Sequence, residues 1–133
     1  MRRLVFAAAL WAQPLFAAAP APPPATRLAE AEVANDRGPQ VLTQHNRTFL
    51  PGGSSGWHSH PGIEVGHVLS GITEMRLADG TRRLYRAGES FVVPRGVVHN
   101  GINAGRGPAR LLITYVVDKG APQRIDAPDP AAH

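Results

Sequence analysis

The sequence predicts an all-β domain, a β-sandwich or small barrel, and three observations predict it. From Gln40 onward, short runs of alternating apolar and polar residues are separated by glycine and proline. Seven or eight such runs follow one another at the spacing of strands joined by tight turns. No run carries a long helical stripe, and once an N-terminal leader is set aside roughly 110 residues remain, the size of one domain with one core.

The leader is the first element. Arg2 and Arg3 precede an apolar stretch, Leu4 to Phe16, interrupted by Gln13 and Pro14, and small residues follow at Ala17 to Ala19. That is the layout of a secretory signal peptide, and the stretch is too short to cross a bilayer as a helix. A buried helix fits poorly with Pro14 and the Pro20 to Pro24 cluster, because proline removes a donor and clashes with the preceding turn. Residues 1–25 are therefore expected to be a signal peptide with a Pro/Ala-rich linker, and the mature chain to be periplasmic or secreted.

Without Arg2 and Arg3, twelve basic residues stand against ten acidic ones, a balance of +2. The basic residues are scattered, whereas a nucleic-acid surface needs a stripe or patch. With no cysteine in the chain, there are no disulfides and no thiolate ligands. An exported domain of this size must be held by its core, by a metal or by subunit contacts, and any metal site must use imidazole and carboxylate.

Thr26 to Asn35 is expected to form a short helix capped by Thr26, with Glu30 and Glu32 in the run. Strands follow at Val41–Phe49, Glu64–Leu69 and Ile72–Leu77; in the last, Thr73, Met75 and Leu77 alternate with Glu74 and Arg76. Ala78-Asp79-Gly80 is a hairpin turn signal. Thr81–Arg86, Ser90–Val93, Val97–Asn103 and Ala109–Val117 complete the set. The domain is expected over residues 26–120, and residues 121–133, polar and proline-bearing, as a flexible tail. An exposed sheet edge on so small a barrel predicts a homodimer.

The chemistry-bearing stretch is GWHSHPGIEVGHVLSG, Gly56 to Gly71. His58 and His60 are two apart, so on an extended segment both imidazoles face one cavity. The turn Pro61-Gly62-Ile63 can bring the Glu64 carboxylate back beside them, and His99, after a strand end and a tight turn, is the candidate fourth ligand. Neutral imidazoles and a carboxylate suit one divalent transition metal such as Fe, Mn, Ni, Cu or Zn. His67 is out of phase with Glu64 and should face away. His45, His67 and His133 read as surface or hydrogen-bonded histidines.

These residues resemble the motifs of the cupin family. Gly52, His58, His60, Glu64 and Gly71 match its first half-motif, and Gly88, Pro94, Gly96, His99 and Asn103 match the second. The short gap between the halves, Ile72 to Ala87, resembles that of small single-domain microbial cupins of dioxygenase-like type. The resemblance covers Gly52 to Asn103. It implies a single conical β-barrel, a jelly roll, whose interior holds a metal ligated by His58, His60, Glu64 and His99 at about 2.0–2.2 Å. A five- or six-coordinate ion would keep one or two positions open for chemistry.

Cupins include dioxygenases, isomerases, decarboxylases, sugar-binding modules and storage proteins, so the fold does not fix the activity. The pocket lining is expected from Trp57, Val68, Ser70, Thr73, Met75 and Phe91, although for Met75, Leu77 and Phe91, each taken alone, core packing is the favoured account. Ser70, Thr73 and Tyr115 could bind substrate; Arg47, Arg95 and Arg110 are possible carboxylate anchors. Two functions are carried forward: a metal-dependent oxygenase-type enzyme acting on a small organic substrate, and a non-catalytic metal- or ligand-binding module. A DNA-linked regulator is set aside, since no helix-turn-helix segment is attached.

Overall fold

A computed structural model describes residues 26–33 and 38–132; the signal-peptide expectation and His133 lie outside them. Among the described residues there are ten strands and no helix: β1 (Thr26–Val33), β2 (Gln40–Phe49), β3 (His58–Ser59), β4 (Gly62–Ser70), β5 (Ile72–Leu77), β6 (Arg82–Arg86), β7 (Ser90–Val93), β8 (His99–Asn103), β9 (Ala109–Asp118) and β10 (Ile125–Asp126). They form two five-stranded sheets, in the orders β1-β2-β9-β4-β7 and β10-β3-β8-β5-β6. Every strand pair is antiparallel. The chain passes back and forth between the sheets, as from β4 to β5 and from β6 to β7, which wraps them into the expected jelly roll.

The core is written most plainly in β9. Ala109, Leu111, Ile113, Tyr115 and Val117 are buried in strict alternation, facing Phe49, Val68, Met75, Phe91 and Val93 within the same cluster. Each large apolar side chain taken out of water contributes about 1.5–3 kcal/mol, and a slip of one residue would expose the whole row. The row thereby fixes the register of β2 and β4, which flank β9. At Gly66 a Cβ would stand 2.1 Å from Phe91 Cζ; glycine there lets the Phe91 ring lie against β4.

Two expectations are corrected. Thr26–Val33 is a strand, not a helix: it pairs with β2 from Thr26 opposite Asn46 to Val33 opposite Gln40, with a bulge between Arg27 and Ala29. A ten-residue helix is marginal on its own, whereas an open strand edge offers its backbone a full set of partners. The segment after Val117 is also seated rather than loose. Ile125 and Asp126 pair with Ser59 and His58, Ala127 N–H donates to Trp57 O, and Thr43 Oγ1 donates to Gln123 Oε1 at 3.1 Å. Residues 119–132 form a strap across one end of the barrel.

Candidate metal centre

Both sheets supply donors to one point inside the barrel. β3 and β8 pair with His58 directly opposite His99; His60 follows β3, and Glu64 points inward from β4 in the other sheet. The four are buried, with exposures of 4%, 3%, 4% and 1% for His58, His60, Glu64 and His99. One potential ligand atom from each lies within 4.8 Å of all the others. His60 Nε2 is 2.8 Å and His99 Nε2 3.2 Å from Glu64 Oε2.

Each imidazole is oriented by a backbone carbonyl. His58 Nδ1 lies 2.7 Å from Gly56 O, His99 Nδ1 lies 2.9 Å from Val97 O, and His60 Nδ1 bonds Gln123 O. A carbonyl oxygen only accepts, so each Nδ1 carries the proton and each Nε2 presents a lone pair to the centre. This is the orientation that carbonyl partners impose on ligating histidines. It leaves His60 Nε2 buried without a hydrogen-bond partner, because its approach to Glu64 lacks hydrogen-bond alignment.

Three lone pairs and a carboxylate this close repel unless positive charge lies between them. Protons serve poorly, since burial lowers the His58 imidazole from 6.5 to about 4. Burial opposes ionisation of Glu64, and only protons on the His60 and His99 Nε2 atoms, by hydrogen bonding and charge, would outweigh it and hold the carboxyl at about 2; with the protons on Nδ1, a cation has to take their part. A divalent cation meets all four demands together, and the N₃O donor set suits a first-row transition metal.

The donors open on a cavity of about 80 Å³, room for a molecule of a few heavy atoms. Of the expected lining, Thr73, Met75 and Phe91 are on its wall. Val68 is fully buried in the core behind it. Ser70 leaves the inward row because a bulge between Val68 and Ser70 breaks the alternation and pairs Ser70 with exposed Arg110. Trp57, flanking inward His58, faces out and lines a separate groove with Leu77, Asn100 and Asp129. His67 faces outward and bonds Ser90 Oγ at 2.9 Å.

The arginines and polar candidates divide as clearly. Arg95 grips Asp118 with two nitrogens, at 2.6 and 2.7 Å, and donates to Pro61 O, tying the turn before His99 to the end of β9. Arg110 is exposed, while Arg47 lines the cavity. Tyr115 is on the wall too, its ring 4.8 Å from that of His60; burial first, then the Glu64 charge, pushes its phenol above the usual range. Asn103 is a scaffold residue: Nδ2 donates to Phe49 O and Gly107 O, and Oδ1 accepts from Gly105 N–H. Gly52, Gly71 and Gly96 hold φ of +73°, +82° and +73°, the left-handed turns that their motif positions require. Gln123 and Arg124 reach the cavity from the strap, which carries no strand periodicity to announce them.

The family model described as the cupin domain matches residues 46–115. Oxalate oxidase 1 of Hordeum vulgare is 34% identical over 103 residues, covering 70% of this chain and 51% of that protein. Germin-like protein 3-5 of Oryza sativa subsp. japonica is 36% identical over 103 residues, covering 70% and 45%. The chain thus spans about half the length of these relatives. Among solved structures, a Cupin 2 conserved barrel domain protein from Salinispora arenicola superposes with a TM-score of 0.57 at 26% identity, covering 71% of this chain and 75% of that one. A recombinant oxalate oxidase in complex with glycolate gives 0.56 at 28% identity, covering 64% and 45%. With ten motif residues in place, a jelly roll around their donors and a family match over more than half its length, this chain belongs to the cupin family.

Proposed function

We propose that the protein is an exported, metal-dependent oxidase- or oxygenase-type cupin acting on a small organic substrate. One observation carries the reading: four buried donor groups converge on a cavity, with all three Nδ1 atoms turned to backbone carbonyls. His58, His60, Glu64 and His99 hold the ion. When bound, it supplies open coordination positions and, if redox-active, electron transfer to O₂. Met75, Phe91, Leu111 and Ile113 form an apolar wall that keeps bulk water from the reacting end. The Tyr115 hydroxyl stays protonated at neutral pH and is available as a donor beside His60. The relationship to proteins named oxalate oxidase supports oxidation over the other cupin chemistries.

A binding module is the second reading, and one observation favours it: among the described residues the wall carries no carboxylate or imidazole beyond the four donors. Metal analysis of protein isolated from its own cells, followed by oxygen-uptake assays with a panel of small organic acids, enediols and catechols, separates the two. Oxygen uptake that scales with metal content supports the enzyme. Stoichiometric metal without oxygen uptake on any of the panel favours the module.

A further inference from the structure

The cavity contains positive charge that the donor cluster does not use. Arg47 points inward from β2, opposite Leu111 of β9, and its guanidinium carbon lies 5.0 Å from the Phe49 ring centroid. Its Nε is buried with no hydrogen-bond partner, and among the described residues it forms no ion pair. Arg124 reaches the same cavity from the strap. Its Nε bonds Asp126 at 2.6 Å, which leaves its terminal nitrogens directed toward the Gly56 rim, where a Cβ would lie 3.5 Å from Nη2. Thr73 is 0% exposed, lines the cavity, and its Oγ1 has no hydrogen-bond partner. Among the described residues the one carboxylate on the wall, Glu64, lies against His60 and His99.

A buried guanidinium nitrogen and a buried hydroxyl left unbonded are both costly, and each is relieved by an acceptor entering from the cavity. The planar Arg fork matches a carboxylate, and the volume of about 80 Å³ limits the molecule to a few carbons. We propose that the cavity selects a small carboxylate, with Arg47 and Thr73 holding its anionic end and Arg124 closing over it at the mouth. Arg47 is thereby the specificity-determining residue. The inference names the substrate class of the site described under Proposed function, and binding can be tested without turnover.

The test is calorimetric titration of the metal-free full chain with glycolate and with its neutral isostere glycolamide. The wild type is expected to prefer glycolate by about tenfold or more. Arg47→Met, which keeps the stacking volume over Phe49, is expected to lose that preference. Arg47→Lys should recover part of it, and Arg124→Gln should weaken glycolate about threefold. Melting curves identify any variant that fails to fold; for such a position the comparison of the two ligands on wild type stands in. Equal binding of glycolate and glycolamide by wild type, or unchanged glycolate binding by a folded Arg47→Met, overturns the proposal. Loss of selectivity in Arg47→Met supports it even if no oxidation is ever found, so failure of the enzyme reading is seen separately.

Discussion

The two ends of the cavity are built on opposite plans. At the donor end each imidazole is pinned from behind by a carbonyl, and both sheets contribute. At the guanidinium end Arg47 rests on a ring face and its Nε has no partner, while Arg124 arrives on the strap. Rigid, multiply bonded groups suit an ion that is held in place; a guanidinium with an unbonded Nε and another carried on the strap suit a molecule that enters and leaves. The difference is the one that the proposed roles of the two ends require.

The comparison breaks most sharply if the donor end loses its charge. Glu64→Gln retains the shape but leaves three imidazoles without their anion, and metal content measured by mass spectrometry after dialysis should fall from stoichiometric to less than about a tenth. Ending the chain after Gly120 is the next largest test, since it removes the carbonyl behind His60 and the pairing of β10 with β3. Metal affinity should then drop about 10–100-fold, while the β-sheet signal in circular dichroism persists because β10 is only two residues long.

Acid probes the same end more gently. His58 in the unfolded chain takes a proton near 6.5, but in the fold only near 4. The unfolded state therefore binds more protons between those values, and stability falls as pH drops through that window. Melting temperatures of the metal-free protein should decline from about pH 6.5 toward 4, and a bound ion should move the decline to lower pH by competing with the proton. The smallest effect is expected at His67→Ala: it shares the motif stretch with the donors, yet faces outward, so metal content should be unchanged and stability should move by less than about 0.5 kcal/mol.

The donor end is legible in the sequence because its geometry is carried by local rules. Period-two alternation puts His58 and His60 on one side, and the same rule excludes His67. It also turns Trp57 outward, against its expected place in the lining. The bounds of β5 and β7 follow from the sequence because apolar alternation ends at glycine and proline. What escapes has physical reasons. The composition of TRLAEAEV suits a helix, and only the open edge of β2 makes it a strand. Ser70 is displaced by a bulge, which alternation cannot foresee. The strap pairs through two residues, too few for any periodicity, and it brings Gln123 to His60, 63 positions earlier in the chain, and Arg124 to the same cavity.

That long reach sets an order of events. The carbonyl that orients His60 belongs to a residue 63 positions downstream, so a chain emerging from a ribosome presents His58, His60 and Glu64 well before Gln123 can reach them. Closing so distant a contact is among the slower steps in folding. Until Gln123 docks, His60 lacks the carbonyl that turns its Nε2 inward, so the four-donor set is complete only once the strap has closed.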